Sequence, residues 1–366
     1  MSFIVFTQGG SSDMKIRSAK IAFFIFLFLF SIQLFLKQNL FAKWDGPTDG
    51  PSGQSAKNII FISADFRNGG VSSVYRGFEA AAEALSWNVK IVNADGGKSN
   101  TKKLFIDALK LRPHAIVLGG FPPEELGDEI EQAKKLKIIL IGWHVTDKPG
   151  PYKDVFTNIT TDPKEVAKIA AEYAIKDGKK KAGVVFLNDD RFPIANTKTE
   201  AMRKIIESCE KCKVLSVENI PLTNASEDIL SVVPRLNEKF GKSWTHTLAI
   251  NDSYFDKINY ALANSGRKDI RNVSAGDGSL KALTRIRSGY AYQLATVAEP
   301  LNSQGWQLAD ELNRAFAGKP PSGFINKPVL VTKNLLERLK KSYVDSGSGY
   351  EDAYIKIWGQ NKKKNK

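Results

Sequence analysis

Aromatic, amide, carboxylate and cationic side chains gather where short apolar runs of this chain end. Phe66, Arg67 and Asn68 follow IIFIS (59–63), Phe121 follows AIVLGG (115–120), and Trp143 and His144 close IILIGW (138–143) and follow it. The second half repeats the mixture with Asp190, Arg191 and Phe192, then Lys198, then Asn251, Asp252 and Tyr254, then Asp277, and lastly Glu299. Sugars call for this combination. A pyranose or furanose ring offers an apolar C–H face to an aromatic plane, while its hydroxyls donate and accept, which carboxylates, amides and arginine match. Each residue also has a plainer reading. Asp277 fits the turn Ala275-Gly276-Asp277-Gly278, Asn251 and Asp252 fit a helix cap, the aromatic residues fit a core, and Arg67, Arg191 and Lys198 fit a solvated surface. The set, more than any one member, points to a small polar solute.

Carboxylates at strand ends (Asp190, Asp252, Asp277, Glu299) also suit acid–base chemistry, so an exported enzyme is an alternative. The usual signatures of α/β enzymes are missing from the loops that would hold them. The first strand is followed by Ala64-Asp65-Phe66-Arg67-Asn68-Gly69-Gly70-Val71, without GxGxxG. Gly97-Lys98-Ser99 has Val92 where a phosphate loop needs its first glycine, and no GxSxG follows a strand. The histidines, at 114, 144 and 246, show no zinc spacing. Neither cofactor nor metal is expected, and no catalytic residue is assigned.

The elements that position these side chains alternate. Continuous β-branched runs (59–63, 89–94, 115–120, 138–143, 155–160) imply strands buried on both faces, and the segments between them have helical period, as in Val74, Phe78, Ala81, Ala82 and Leu85. Asp162-Pro163-Lys164-Glu165 is a helix start with cap, first-turn proline and acidic third position. The rhythm restarts at 182–187, 214–220, 246–250, 272–275 and 292–297, with helices ending at Gly241, Gly266 and Gly289. The pattern predicts an α/β protein with two doubly wound parallel sheets, whose ligands lie beyond the carboxyl ends of the strands. No residue-level repeat between the halves is evident.

With 366 residues, 42% hydrophobic and 25% charged, the chain can build two cores, which argues against a disordered tail protein. Its formal charge of +14 is concentrated at the ends, +3 in residues 1–42 and +4 in the closing Lys362, Lys363, Lys364 and Lys366. Ile21–Leu36 is uncharged and apolar, follows Lys15, Arg17 and Lys20, and precedes Leu40-Phe41-Ala42, the layout of a secretory signal cleaved after Ala42. An uncleaved anchor is the alternative, and Met14 offers a second start. Residues 43–57 read as a flexible leader and 341–366 as a polar, basic tail. Export implies an oxidising compartment, in which Cys209 and Cys212 are a disulfide candidate or a pair of free thiols; the pair ends a helical stretch, unlike a redox CxxC.

From about Asn58 to Lys333 the sequence resembles type 1 periplasmic substrate-binding proteins of the ribose- and galactose-binding kind, receptors of sugar ABC transporters. The stretch from Leu248 to Gly266 is similar to that family's AxNDxMAxGAxxAxxxxG block, with Asn251 and Asp252 on its ligand-contacting pair. Ala275–Gly278 resembles the GxDG turn, and Ala295–Pro300 with Gly305 the strand and crossover that place Glu299 at a ligand-binding position. Asn196–Met202 resembles the stretch in which an arginine grips sugar, a role that falls here to Lys198. Two loops depart from the family. Gly69-Gly70-Val71 replaces an Asn-Pro-Phe-Phe-like sequence, and Trp143-His144 stands where Asp-Arg is common.

The resemblance implies two lobes joined by a hinge, one of 58–160 plus 300–326 and the other of 161–299 plus 327–340. It further implies a monomer that closes on a sugar-like solute in the periplasm and delivers it to a membrane permease. The alternative partner is a membrane sensor kinase. Repressors of this fold carry a helix-turn-helix where this chain has its export signal, so no nucleic acid is expected.

Overall fold

The computed structural model describes residues 44–289, 292–339 and 343–360. The expected signal at 1–42 and the last basic residues lie outside them. Among the described residues no helix is long and apolar enough to cross a membrane.

The first sheet contains β1 (Asn58–Ser63), β2 (Asn88–Asn93), β3 (Ala115–Gly119), β4 (Ile139–Trp143), β5 (Gly150–Tyr152) and β6 (Val155–Ile159) in the order β2-β1-β3-β4-β6-β5. All its pairings are parallel except that of β5 with β6. The unbroken apolarity of β1 follows from cover on both faces. Ile59 and Phe61 face a core shared with helix α1 (Gly69–Ala84), whereas Ile60 and Ile62 face one shared with α2 (Lys98–Lys110) and α3 (Glu129–Lys135).

The second sheet contains β7 (Gly183–Asn188), β8 (Lys213–Asn219), β9 (His246–Ala249), β10 (Arg271–Ser274), β11 (Gln293–Ala298) and β12 (Val329–Thr332) in the order β12-β11-β10-β9-β7-β8. Its helices are α4 (Pro163–Asp177), α5 (Pro193–Glu207), α6 (Ala225–Phe240), α7 (Ile258–Asn264) and α8 (Leu280–Ser288). As the sequence signal predicts, Asp162 caps α4, accepting from Lys164 N at 2.8 Å. Both doubly wound sheets are present, and each gains an antiparallel edge strand, β5 or β12, that the alternation did not foretell. In both, the strand order reverses beside the first strand, β1 or β7, which is where a crevice opens in such sheets.

After β11 the chain returns to the first sheet as α9 (Leu301–Phe316), which packs on α1 at backbone-close range. A side chain at Gly77 would strike the Asn302 carbonyl, and one at Gly305 would strike the Val74 carbonyl, so glycine at both positions lets the helices meet. β12 then leads into α10 (Lys333–Leu339), packed through Leu336 on the second sheet's α8.

The segments read as leader and tail differ from that expectation where they are described. Residues 44–54 lie along α9: Gln54 N donates to Asn313 Oδ1 at 2.7 Å, and Asn313 Nδ2 donates to Pro51 O at 3.0 Å. A helix α11 (Tyr350–Ile357) docks there too, with Trp358 stacked on Trp306 at 5.6 Å and Tyr354 fully buried. Tyr350, Tyr354 and Trp358 recur every four residues, one apolar stripe inside an otherwise polar stretch. Cys209 and Cys212 form a disulfide in the turn between α5 and β8.

Candidate functional site

A cavity of about 370 Å³ lies at the carboxyl ends of the strands, lined from both halves of the chain. Ten of the fifteen residues singled out from sequence line it: Arg67, Asn68, Phe121, Trp143 and His144 from the first half, and Arg191, Phe192, Lys198, Asn251 and Asp277 from the second.

The halves touch closely around it. A Cβ at Gly69 would lie 2.6 Å from Ser279 Cβ, one at Gly70 would run into the Asp277 carboxylate, and one at Gly96 would run into the Thr223 methyl. Gly69 and Gly70 are therefore the contact surface of the first helix, which accounts for the absence of bulky side chains there. Thr197 Oγ1 also donates across the gap to Asp147 Oδ2 at 3.0 Å.

Asp277 sits on a turn built by its neighbours. Asp252 Oδ2 accepts the backbone N–H groups of Asp277, Gly278 and Ser279 at 3.1, 2.8 and 3.0 Å, and its Oδ1 accepts from Gln293 Nε2 at 2.8 Å. Asn251 caps the following turn through Ser253 N at 2.9 Å and donates its amide to Asp277 Oδ2 at 2.7 Å. The cap reading of Asn251 is thus realised, and the residue also lines the cavity. Burial pushes the Asp277 carboxyl up to about 6, against the pull of nearby Lys198 and His144.

At the floor, the Trp143 and His144 rings stack at 3.8 Å, and His144 takes a left-handed backbone, φ 53°. Trp143 Nε1 donates to Gln304 Oε1 at 2.8 Å, and Gln304 Nε2 donates to Glu299 Oε2 at 3.1 Å. Glu299 also lies 3.0 Å from His144 Nε2 and 3.5 Å from Lys198 Nζ. Burial opposes the charge of Glu299, but His144 and Lys198 outweigh it and hold the carboxyl well below its ordinary range. His144, Asp277 and Glu299 present ligand-type atoms within 4.8 Å of one another. The Lys198 ammonium beside them already supplies the positive charge that would draw a cation there, so the group reads as an ion-pair cluster.

Five expected residues do other work. Phe66 packs against Phe61 and Tyr75 in the first core. Tyr254 is fully buried, donating to Ile220 O at 2.7 Å. Asp252 is spent on the turn, Asp190 is exposed, and Glu299 lies behind the cavity wall.

Two acids that the sequence reading passed over prove central. Asp65 accepts Arg67 N and Nε at 2.9 Å and Nη2 at 2.6 Å; Asp189 accepts Arg191 N, Nε and Nη2 at 3.3, 2.8 and 2.6 Å. Each is an Asp-x-Arg step after the first strand of its sheet, so a short residue-level repeat between the halves does exist. Thr223 and Asn224, after β8, and Lys98 and Glu125 also line the cavity. They lacked any aromatic neighbour to flag them.

Residues 59–320 match the family model described as periplasmic binding protein domain. The chain belongs to that family. Solved structures similar to this family member include an ABC transporter solute binding protein from Agrobacterium vitis with bound allitol (19% identity, TM-score 0.68, covering 78% of this chain and 98% of that one). Another is the 5-methylthioribose transporter solute binding protein from Thermotoga lettingae (16%, TM-score 0.70, 85% and 96%). A third is a XylFII-LytSN complex (15%, TM-score 0.64, 77% and 99%). No curated protein matches the chain.

Proposed function

We propose that this periplasmic binding protein is exported, captures a small uncharged polyhydroxylated solute, a sugar or polyol, and delivers it to the permease of an ABC transporter. One observation carries the reading: aromatic planes (Phe121, Trp143) and fixed hydroxyl-matching groups (Asn251, Asp277, Lys198) share one cavity whose cations are already partnered. Arg67 and Arg191 are held by Asp65 and Asp189, Lys98 by Glu125 at 3.5 Å, Lys281 by Asp256 at 3.2 Å, and Lys198 by Glu299. A charged guest would compete with these pairs, whereas hydroxyls add to them. The named ligands of similar structures, allitol and 5-methylthioribose, support the same class.

In this reading the ten cavity residues contact the solute, and the lobes, 58–160 with 300–326 and 161–299 with 327–340, close around it. No bond is made or broken. Of the four strand-end carboxylates only Asp277 lines the cavity, and the other lining acids Asp65, Glu125 and Asp256 are engaged by Arg67, Lys98 and Lys281. A second reading, presentation of the closed form to a membrane sensor, draws on the XylFII-LytSN likeness. Thermal-shift measurement across neutral sugars and polyols, with mass spectrometry of the copurifying solute, tests the proposal: a stabilising sugar or polyol is expected. A panel without any shift, or a charged copurifying solute, overturns it.

A further inference from the structure

Glu299, like Asp252, is a buried acid of the predicted set outside the cavity wall, but whereas Asp252 is occupied by one turn of its own half, Glu299 meets groups from both halves. It follows β11 directly and precedes Pro300 and α9, on the connection between the two sheets. Its Oε2 also receives Thr161 N at 3.4 Å, from the other connection, between β6 and α4. The remaining neighbours come from opposite halves: His144 and Gln304 from the first, Lys198 from the second.

We propose that Glu299 is a positioning residue that ties one cavity group of each half, His144 and Lys198, to the hinge and so holds the cavity shut, without touching the solute. This rests on the solute-capture reading for its purpose, but not for its geometry. Among the described residues Glu299 Oε1 has no hydrogen-bond partner, and the Lys198 ammonium lies 3.5 Å from it. Lys198 Nζ also lies close against Gly276, where a Cβ would come within 2.9 Å of it. His144, in a backbone conformation that side chains disfavour, is held between the Trp143 ring and this carboxylate. A single buried anion therefore aligns groups that belong to separately moving bodies.

The test needs no solute. In full-length protein, Glu299→Gln, Lys198→Met and the double variant are compared by thermal unfolding. Nitroxides at Lys103→Cys and Lys242→Cys, whose side chains are 71% and 82% exposed on opposite halves, report the separation of the halves. Glu299→Gln is expected to lower the melting temperature by roughly 5 °C or more, because it strands a buried ammonium, and to shift the distance distribution to longer values. The double variant recovers at least half of both changes. Unchanged distances, with or without a lower melting temperature, overturn the tie, as does a double variant as impaired as the sum of the singles. If Glu299→Gln does not fold, Lys198→Met makes the same comparison from the other partner. A solute panel that fails while these shifts occur counts against the solute reading alone.

Discussion

The two Asp-x-Arg steps have nearly the same bonds and very different surroundings. In the first half the Arg67 side chain is 62% exposed over an Asp65 that is 11% exposed; in the second, Arg191 is 32% exposed over an Asp189 that is 1% exposed and also accepts Leu222 N at 2.8 Å. An ion pair in water is screened and worth little, whereas a buried carboxylate with several donors leaves them all unpaired when it is lost. Equal geometry therefore implies unequal function. The second-half step is an enclosed wall, and the first-half step is an exposed lip whose Arg67 also reaches Asp95 O at 3.2 Å.

The sharpest way to break this contrast is Asp189→Asn, expected to destabilise by about 2–3 kcal/mol in urea unfolding. Equal losses for Asp189→Asn and Asp65→Asn would end the distinction. Next in size, Asp277→Ala is expected to weaken binding of the copurifying solute by about 1–3 kcal/mol in calorimetry, since the cavity loses a buried acceptor. Asn68→Ala, on the facing lip, is expected to cost about 1 kcal/mol of stability in addition to any loss of binding, because its Oδ1 caps α1 through Gly70 N at 2.8 Å.

The pH dependence separates the halves further. Folded Asp277 keeps its proton up to about 6, while the unfolded chain releases it near 4. The folded state thus binds the extra proton between those values, and its stability from this group declines as pH rises from about 4 to 6. Melting curves over that window should lose part of their decline in Asp277→Asn, the rest belonging to other carboxyls that burial raises, such as Asp310 and Glu311; an unaltered slope would assign the proton elsewhere. The smallest effect is expected from Asp65→Asn, under about 1 kcal/mol and fading in high salt.

How much was legible follows from the range of the interactions. The strands around Phe61 and Phe186 announce themselves because a run buried on both faces must be apolar throughout, and Asp162 announces α4 because capping is local. Phe66 and Tyr254 misled because an aromatic residue after a strand can turn to the core or to the crevice with no change in the sequence near it. Asp189 was overlooked in favour of exposed Asp190, since adjacent acids look alike until a neighbouring strand and the Leu222 amide decide which is enclosed.

Sequence alone determined the two alternating sheets, the position of the crevice at their carboxyl ends and most of the chemistry that lines it, because these depend on periodicity and on residues a few places apart. Only the tertiary structure decided which carboxylates face the cavity, why Gly69 and Gly70 must be small, and that Glu299 stands behind the wall beside Lys198 and His144. Those outcomes depend on how two halves approach through space, and partners separated by a hundred residues or more leave no local trace in the chain.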